Sequence, residues 1–292
     1  MTFPAGQHFV PEMLQKRFVD PEGMLWVYDK RVPGRGIWRS KPKGIFKERH
    51  VYTVARPDGG PSAMVERALG AVENAADPVL GRIVDRVRAG QSLNLSADER
   101  RTLLLFLYIQ HKRSPEFFRS FPLDGDVEDL ALSAIEVMEA ESGPMPPDQR
   151  AAYLSAAGLK QVEQALRMSV LMNISPQVFG VLEARGIAVA FIPRSDRSFV
   201  LGSLPFARFM SSRGREDLGD PESELWLPIA SDVAVSTYGA KGEDRVVHLV
   251  QDRPIRQVNG ALVGQSSVIA SGSRDLLRAV TRRLGRVTGS KG

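Results

Sequence analysis

The sequence predicts an α+β protein, mainly helical, forming a single domain around a central buried helix, with an N-terminal strand and hairpin region and a strand-rich C-terminal part. Three observations carry that reading. Leu103 to Ile109 are seven apolar residues in succession, enough to cover every direction of a helical turn, between the capping-box pair Ser96 and Glu99 and the stop at Pro115. Apolar residues recur at three and four positions through most of residues 62–185. Beyond residue 187 the pattern changes to short β-branched runs separated by turns.

Taken in order, His8–Phe18 reads as a short helix, with Pro11 near the first turn where its missing N–H does no harm. Met24–Asp29, Gly36–Ser40 and His50–Val54 read as strands, with Trp26 assigned to the core. From Ser62 to Arg88 a long amphipathic helix is expected, kinked or broken by Pro78, with Glu73 at the edge of its apolar stripe. The central helix is expected from Ala97 to Ser114. Gln110 and Arg113 continue the stripe of Leu103, Phe106 and Leu107. They either emerge into water or line a pocket. In the second case Arg113 needs a carboxylate or a bound anion, because an unpaired guanidinium is costly to bury, and Glu73 is a candidate.

The acidic stretch Asp124–Glu141 keeps enough apolar residues for an exposed amphipathic helix, and Gly143–Pro147 is the linker candidate, an internal boundary within one domain spanning residues 1–292. Helices are expected at Asp148–Ala157, Gly158–Asn173 and Pro176–Arg185. Strands follow at Ile187–Ile192, Ser198–Leu201, Leu225–Ile229, Ala234–Tyr238 and Arg245–Val250, and helical periodicity resumes at Pro254 and at Ser273–Leu284.

Composition narrows the function classes. A hydrophobic content of 43% with 25% charged residues is that of a globular protein, and the longest apolar run falls far short of the roughly 20 residues that cross a bilayer, so no membrane partner is expected. The opening MTFPAGQHFVPEML has no basic leader. With no cysteine, a disulfide framework, a thiolate metal site and a cysteine nucleophile are excluded, and a cytoplasmic setting fits. The formal charge of +5 is uneven: Lys30 to Arg49 holds eight basic residues against the single acid Glu48, and Asp124 to Asp148 holds eight acids and no Lys or Arg. Such asymmetry suits an anionic or nucleic-acid partner, with Arg35, Arg39 and Lys43 as the contacts, and equally suits complementarity within the chain. Arg274, Arg278 and Arg282, one turn apart, read as a solvated face, with nucleic acid as the alternative. His8, His50, His111 and His248 show no i, i+4 pair, so a histidine zinc site is not indicated. A divalent cation such as Mg²⁺ on oxygen ligands stays open as a cofactor, without a motif for it. Neither a phosphate-binding glycine loop nor a serine nucleophile elbow is present.

Four segments, HFVPEMLQKRF with LWVYDK, VENAADPVL, FLYIQHKRSP and VNGALVGQSSVIAS, together resemble a mostly bacterial family catalogued only as a domain of unknown function, number 4238, whose members begin with an H-x-V-P motif. The matching positions are His8, Pro11, Phe18, Trp26, Tyr28, Asp29, Glu73, Gln110, Arg113 and Asn259. The resemblance implies one family-wide domain and a shared site. One segment departs from it: relatives usually carry a Ser-Asp pair shortly before a proline where this chain has Gly202 and Ser203 before Pro205.

An imidazole, a carboxylate, an amide and a guanidinium on segments that meet around the central helix suit acid/base chemistry on an anion, with His8 and Glu73 catalytic and Gln110, Arg113 and Asn259 binding substrate. The expected activity is then nuclease-like hydrolysis of a phosphodiester. The alternative is a non-catalytic nucleic-acid-binding or regulatory protein in which the same residues form a buried network fixing the N-terminal segment.

Overall fold

The computed structural model describes residues 6–55, 61–115, 126–209 and 223–288. Its centre is the helix α3 (Ala97–Lys112), reached after β1 (Gly6–His8), α1 (Glu12–Gln15), β2 (Leu25–Asp29), β3 (Trp38–Ser40), β4 (Lys47–Arg49), the short ladder of β5 (Val54–Ala55) with β6 (Pro61–Ser62), and α2 (Met64–Arg88). The capping box forms as the residue types require: Glu99 N donates to Ser96 Oγ at 3.2 Å and Ser96 N to Glu99 Oε2 at 2.8 Å. Leu103, Leu104, Phe106, Leu107, Tyr108 and Ile109 are all buried. Each such large side chain removed from water is worth about 1.5–3 kcal/mol, which pins the helix inside the protein. It ends at Lys112, with Arg113 as its C-cap in helical conformation.

After α4 (Val127–Ser142), α5 (Pro147–Leu154), α6 (Ala156–Met172) and α7 (Pro176–Glu183) come β7 (Gly186–Phe191), β8 (Leu201–Gly202), β9 (Ala207–Phe209), β10 (Glu224–Pro228), β11 (Val233–Tyr238), β12 (Arg245–His248), α8 (Asp252–Gln265), β13 (Val268–Ser271) and α9 (Arg274–Thr288). The strands form a five-stranded sheet in the order β12-β7-β11-β10-β9 and a four-stranded sheet in the order β3-β2-β13-β8, while β1 pairs with β4. In the larger sheet only β12 with β7 is parallel among the described pairs. The smaller sheet joins the two ends of the chain, Ser271 lying opposite Trp26 and Val268 opposite Asp29. One contiguous core runs from Phe9 through α2, α3 and β7 to Leu277.

Several expectations need correction. His8–Phe18 is strand, then a single turn of helix, then a 3₁₀ turn at Lys16–Phe18, because His8 lies in β1 and Pro11 caps α1 from outside. His50–Tyr52 is a turn, with strands on either side at Lys47–Arg49 and Val54–Ala55: His50 has φ 57°, which a strand cannot continue through. Pro78 does not break α2, which runs on to Arg88. The Arg17 guanidinium sits against that turn, donating to the Asp77 carbonyl at 3.0 Å and to its carboxylate at 2.6 Å. Trp26 is half-buried and shares its face with Tyr28, while Val27 and Leu25 between them take the core. The stretch Ala156–Glu183 has the length and apolar composition of a membrane span, but it is two helices meeting at Asn173–Ser175. Asp124 lies outside the described residues.

Candidate functional site

The polar cluster assembles where β1 crosses the end of α3. A chain that leaves a strand and enters a helix through a proline strands its carbonyls between two hydrogen-bonding patterns, and inside a protein each must find a donor. Here three successive carbonyls find three side chains. Arg113 Nη2 donates to His8 O at 2.6 Å, Gln110 Nε2 to Phe9 O at 2.9 Å and Gln15 Nε2 to Val10 O at 2.8 Å. Gln110 and Arg113 can serve adjacent residues because an i, i+3 spacing stacks them on one face of α3. The same segment is fastened from its other side. Gln7 accepts from Tyr52 N at 2.7 Å and donates to Thr53 Oγ1 at 3.3 Å, and the Tyr52 hydroxyl donates to Arg113 O at 2.7 Å. Gln7, Gln15, Tyr52, Gln110 and Arg113 are all buried.

Arg113 forms an ion pair with Glu73 of α2, the arginine side chain 4% exposed and the glutamate 23%. Thus His8, Glu73, Gln110 and Arg113 do come together, but the Gln110 amide nitrogen and both terminal nitrogens of Arg113 are engaged by main chain and by Glu73, while Arg113 Nε is buried without a hydrogen-bond partner. Two acid/base groups in the cluster keep unsatisfied atoms: His8 Nε2 and Glu66 Oε2 are buried without a hydrogen-bond partner. Burial lowers the His8 pKa, helped by the charges of Lys47 and Arg113 and opposed by Glu12 and Glu73. Burial raises that of Glu66, with Glu73 adding to the rise and Arg113 opposing it. Glu66, Gln7, Gln15 and Tyr52 escape a reading of sequence alone. Glu66 lies two turns before Glu73 on one face of α2, a spacing that could have found it, and Gln15 follows the apolar Leu14 on α1; no local signal marks Gln7 or Tyr52.

Asn259 serves another junction. Buried on α8, it accepts from Val200 N at 2.9 Å and donates to Ser198 O at 3.0 Å, holding an irregular segment as a sheet neighbour would. The departure at Gly202-Ser203 lies beside it. Ser203 is buried, its hydroxyl accepting from Ser267 N at 2.9 Å and Val268 N at 3.3 Å, and a Cβ on Gly202 would collide with Ser266 Oγ. The residue type changes there without removing the junction.

The three basic candidates lie elsewhere and differ among themselves. Arg39 is paired with Asp20 and Glu22 and lies 5.2 Å from the Trp26 ring, with Arg274 4.8 Å from the same ring. Arg35 stacks 4.0 Å from the centre of the Trp38 ring. Lys43 is exposed, as are Lys41, Lys47 and Arg49, and none of these four forms an ion pair among the described contacts. Among the described residues no group of three His, Asp or Glu side chains could hold a metal ion.

Compared with known proteins, residues 6–270 match the model of a family described as "Protein of unknown function (DUF4238)", and the chain belongs to that family. No curated protein and no solved structure matches the chain.

Proposed function

We propose that this member of a family without an assigned activity is a non-catalytic nucleic-acid-binding protein, in which the polar cluster is a structural latch and the exposed cations of residues 41–49 meet phosphates. One observation carries the reading: Arg113, Gln110 and Asn259, the residues best suited to grip an anion, each bind the protein's own main chain. Among the described contacts Lys41, Lys43, Lys47 and Arg49 have no such engagement, and cations of this kind draw polyanions through counterion release. Fluorescence anisotropy with labelled single- and double-stranded oligonucleotides tests it. Association is expected at about 50 mM salt and a steep loss by about 200 mM. Absence of binding at the lower salt refutes the reading.

A nuclease-like hydrolase is the second reading, favoured by the unpartnered His8 Nε2 and Glu66 Oε2. Their pKa directions suit a neutral base and a readily protonated acid. Under this reading oligonucleotides incubated with Mg²⁺ or Mn²⁺ are cleaved, and His8→Gln abolishes cleavage without lowering the melting temperature. Intact substrate after prolonged incubation removes it.

A further inference from the structure

Between the end of β4 and helix α6 lies a groove of about 810 Å³, floored at one point by Pro115. One wall is the turn carrying Arg49 and His50. The other is a single face of α6, where Lys160, Gln161, Gln164 and Arg167 follow one another at helical spacing. We propose that this groove holds the phosphate backbone of a single-stranded nucleic acid, with Arg49 and Lys160 contacting it from opposite walls. The inference rests on the binding reading above and gives it a location.

The charges are arranged for an anion. Two acids, Glu48 and Glu163, also line the groove, but each already faces an arginine: Glu48 lies 3.8 Å from Arg31, and Glu163 accepts from Arg167 Nε at 3.0 Å and Nη2 at 2.7 Å. Arg49 and Lys160 are exposed and form no ion pair among the described contacts. Gln164 fixes the two walls to each other by donating to Val51 O at 2.6 Å. His50 sits at the rim with φ 57°, a region that non-glycine residues seldom occupy, and it turns the chain sharply out of β4 so that Arg49 and His50 both line the groove.

Size and lining select the form of the partner. The volume falls in the range of small-ligand sites, about 300–1,000 Å³, which admits a few nucleotides of one strand and not a duplex. Among the described lining residues none is Phe, Tyr or Trp, so bases have no stacking platform, and recognition falls on the backbone without regard to sequence.

The test is anisotropy with a labelled single-stranded 12-mer, comparing the whole protein with Arg49→Gln/Lys160→Gln and with Lys41→Gln/Lys43→Gln, whose side chains lie outside the groove. All four residues are exposed, and unchanged melting temperatures confirm that the variants fold. The groove variant is expected to bind at least tenfold more weakly. The slope of log affinity against log salt should become shallower by about 1.4, two single-strand contacts at about 0.7 each. If the groove variant binds as well as wild type while Lys41→Gln/Lys43→Gln loses affinity, the groove assignment is overturned and the binding reading stands. If a mononucleotide displaces the 12-mer at equal phosphate concentration, the groove is a small-molecule phosphate site and the strand assignment is overturned. If wild type binds no oligonucleotide at low salt, the binding reading itself fails and takes the groove with it.

Discussion

Replacing Arg113 with methionine removes the guanidinium but keeps an unbranched apolar stem in its place. Two groups are left behind. Glu73 loses its counter-charge while only 23% of its side chain reaches water, and the His8 carbonyl loses its donor. Removing one partner of a buried ion pair costs about 3–5 kcal/mol, and partial access of water to Glu73 places this pair near the lower end. An unsatisfied buried carbonyl adds about 1–3 kcal/mol. A loss of about 4 kcal/mol is expected, or roughly 8 °C in melting temperature at about 2 °C per kcal/mol for a chain of this size. Glu73→Leu alone should also destabilise, since it leaves the guanidinium buried without its carboxylate. The double variant should be more stable than the two single losses predict, with a coupling of at least about 1 kcal/mol. Urea unfolding followed by circular dichroism measures all four proteins. If Arg113→Met unfolds within about 1 kcal/mol of wild type, the latch does not carry the load assigned to it.

Other consequences follow from the same geometry. Tyr52→Phe removes the hydroxyl that donates to Arg113 O in the core, and a loss of about 1–2 kcal/mol in urea unfolding is expected, whereas no change would show the bond to be idle. Asn259→Ala leaves Val200 N and Ser198 O without their shared partner and should cost about 2–3 kcal/mol, with amide exchange at Val200 faster by tenfold or more. His111 gives a pH dependence. Burial, with smaller contributions from Arg208 and Lys112, lowers its pKa from 6.5 to about 4 in the folded protein. The unfolded chain therefore takes up a proton between these values that the folded one refuses. The corresponding stability is complete above pH 6.5 and is lost as pH falls toward 4, to a total of roughly 3 kcal/mol. His111→Gln should flatten that limb, and an unchanged limb in the variant would assign it to other groups.

Much of the fold was legible because its signals were local. The Ser96 and Glu99 box, the apolar run at Leu103–Ile109 and the glycine and proline bounds of α4 to α7 act within a few residues of themselves. What escaped depends on contacts distant in sequence. β13 pairs with β2 across more than two hundred residues, and nothing in the local pattern of Val268–Ser271, which follows directly on a helix, announces that partner. The displaced β4 was hidden because Val51 and Tyr52 favour a strand by type, while the left-handed His50 ends it. The site was legible in part. An arginine and a glutamine ending a buried stripe correctly demanded partners, and Glu73 was foreseeable from its place on α2. That the partners would include main-chain carbonyls was not, since any segment supplies carbonyls and only the crossing of β1 over α3 decides which ones are starved of donors.

On the function proposed above, the cluster at the end of α3 holds the N-terminal segment and does not hold a ligand. Gln110→Leu tests it most directly, because Gln110 Nε2 donates to Phe9 O and the change preserves volume on a buried face. Melting temperature and oligonucleotide affinity are measured on the same sample. A clear fall in melting temperature is expected, equivalent to about 1–3 kcal/mol, with affinity of the folded protein unchanged. An unchanged melting temperature together with lost binding or lost cleavage would contradict it.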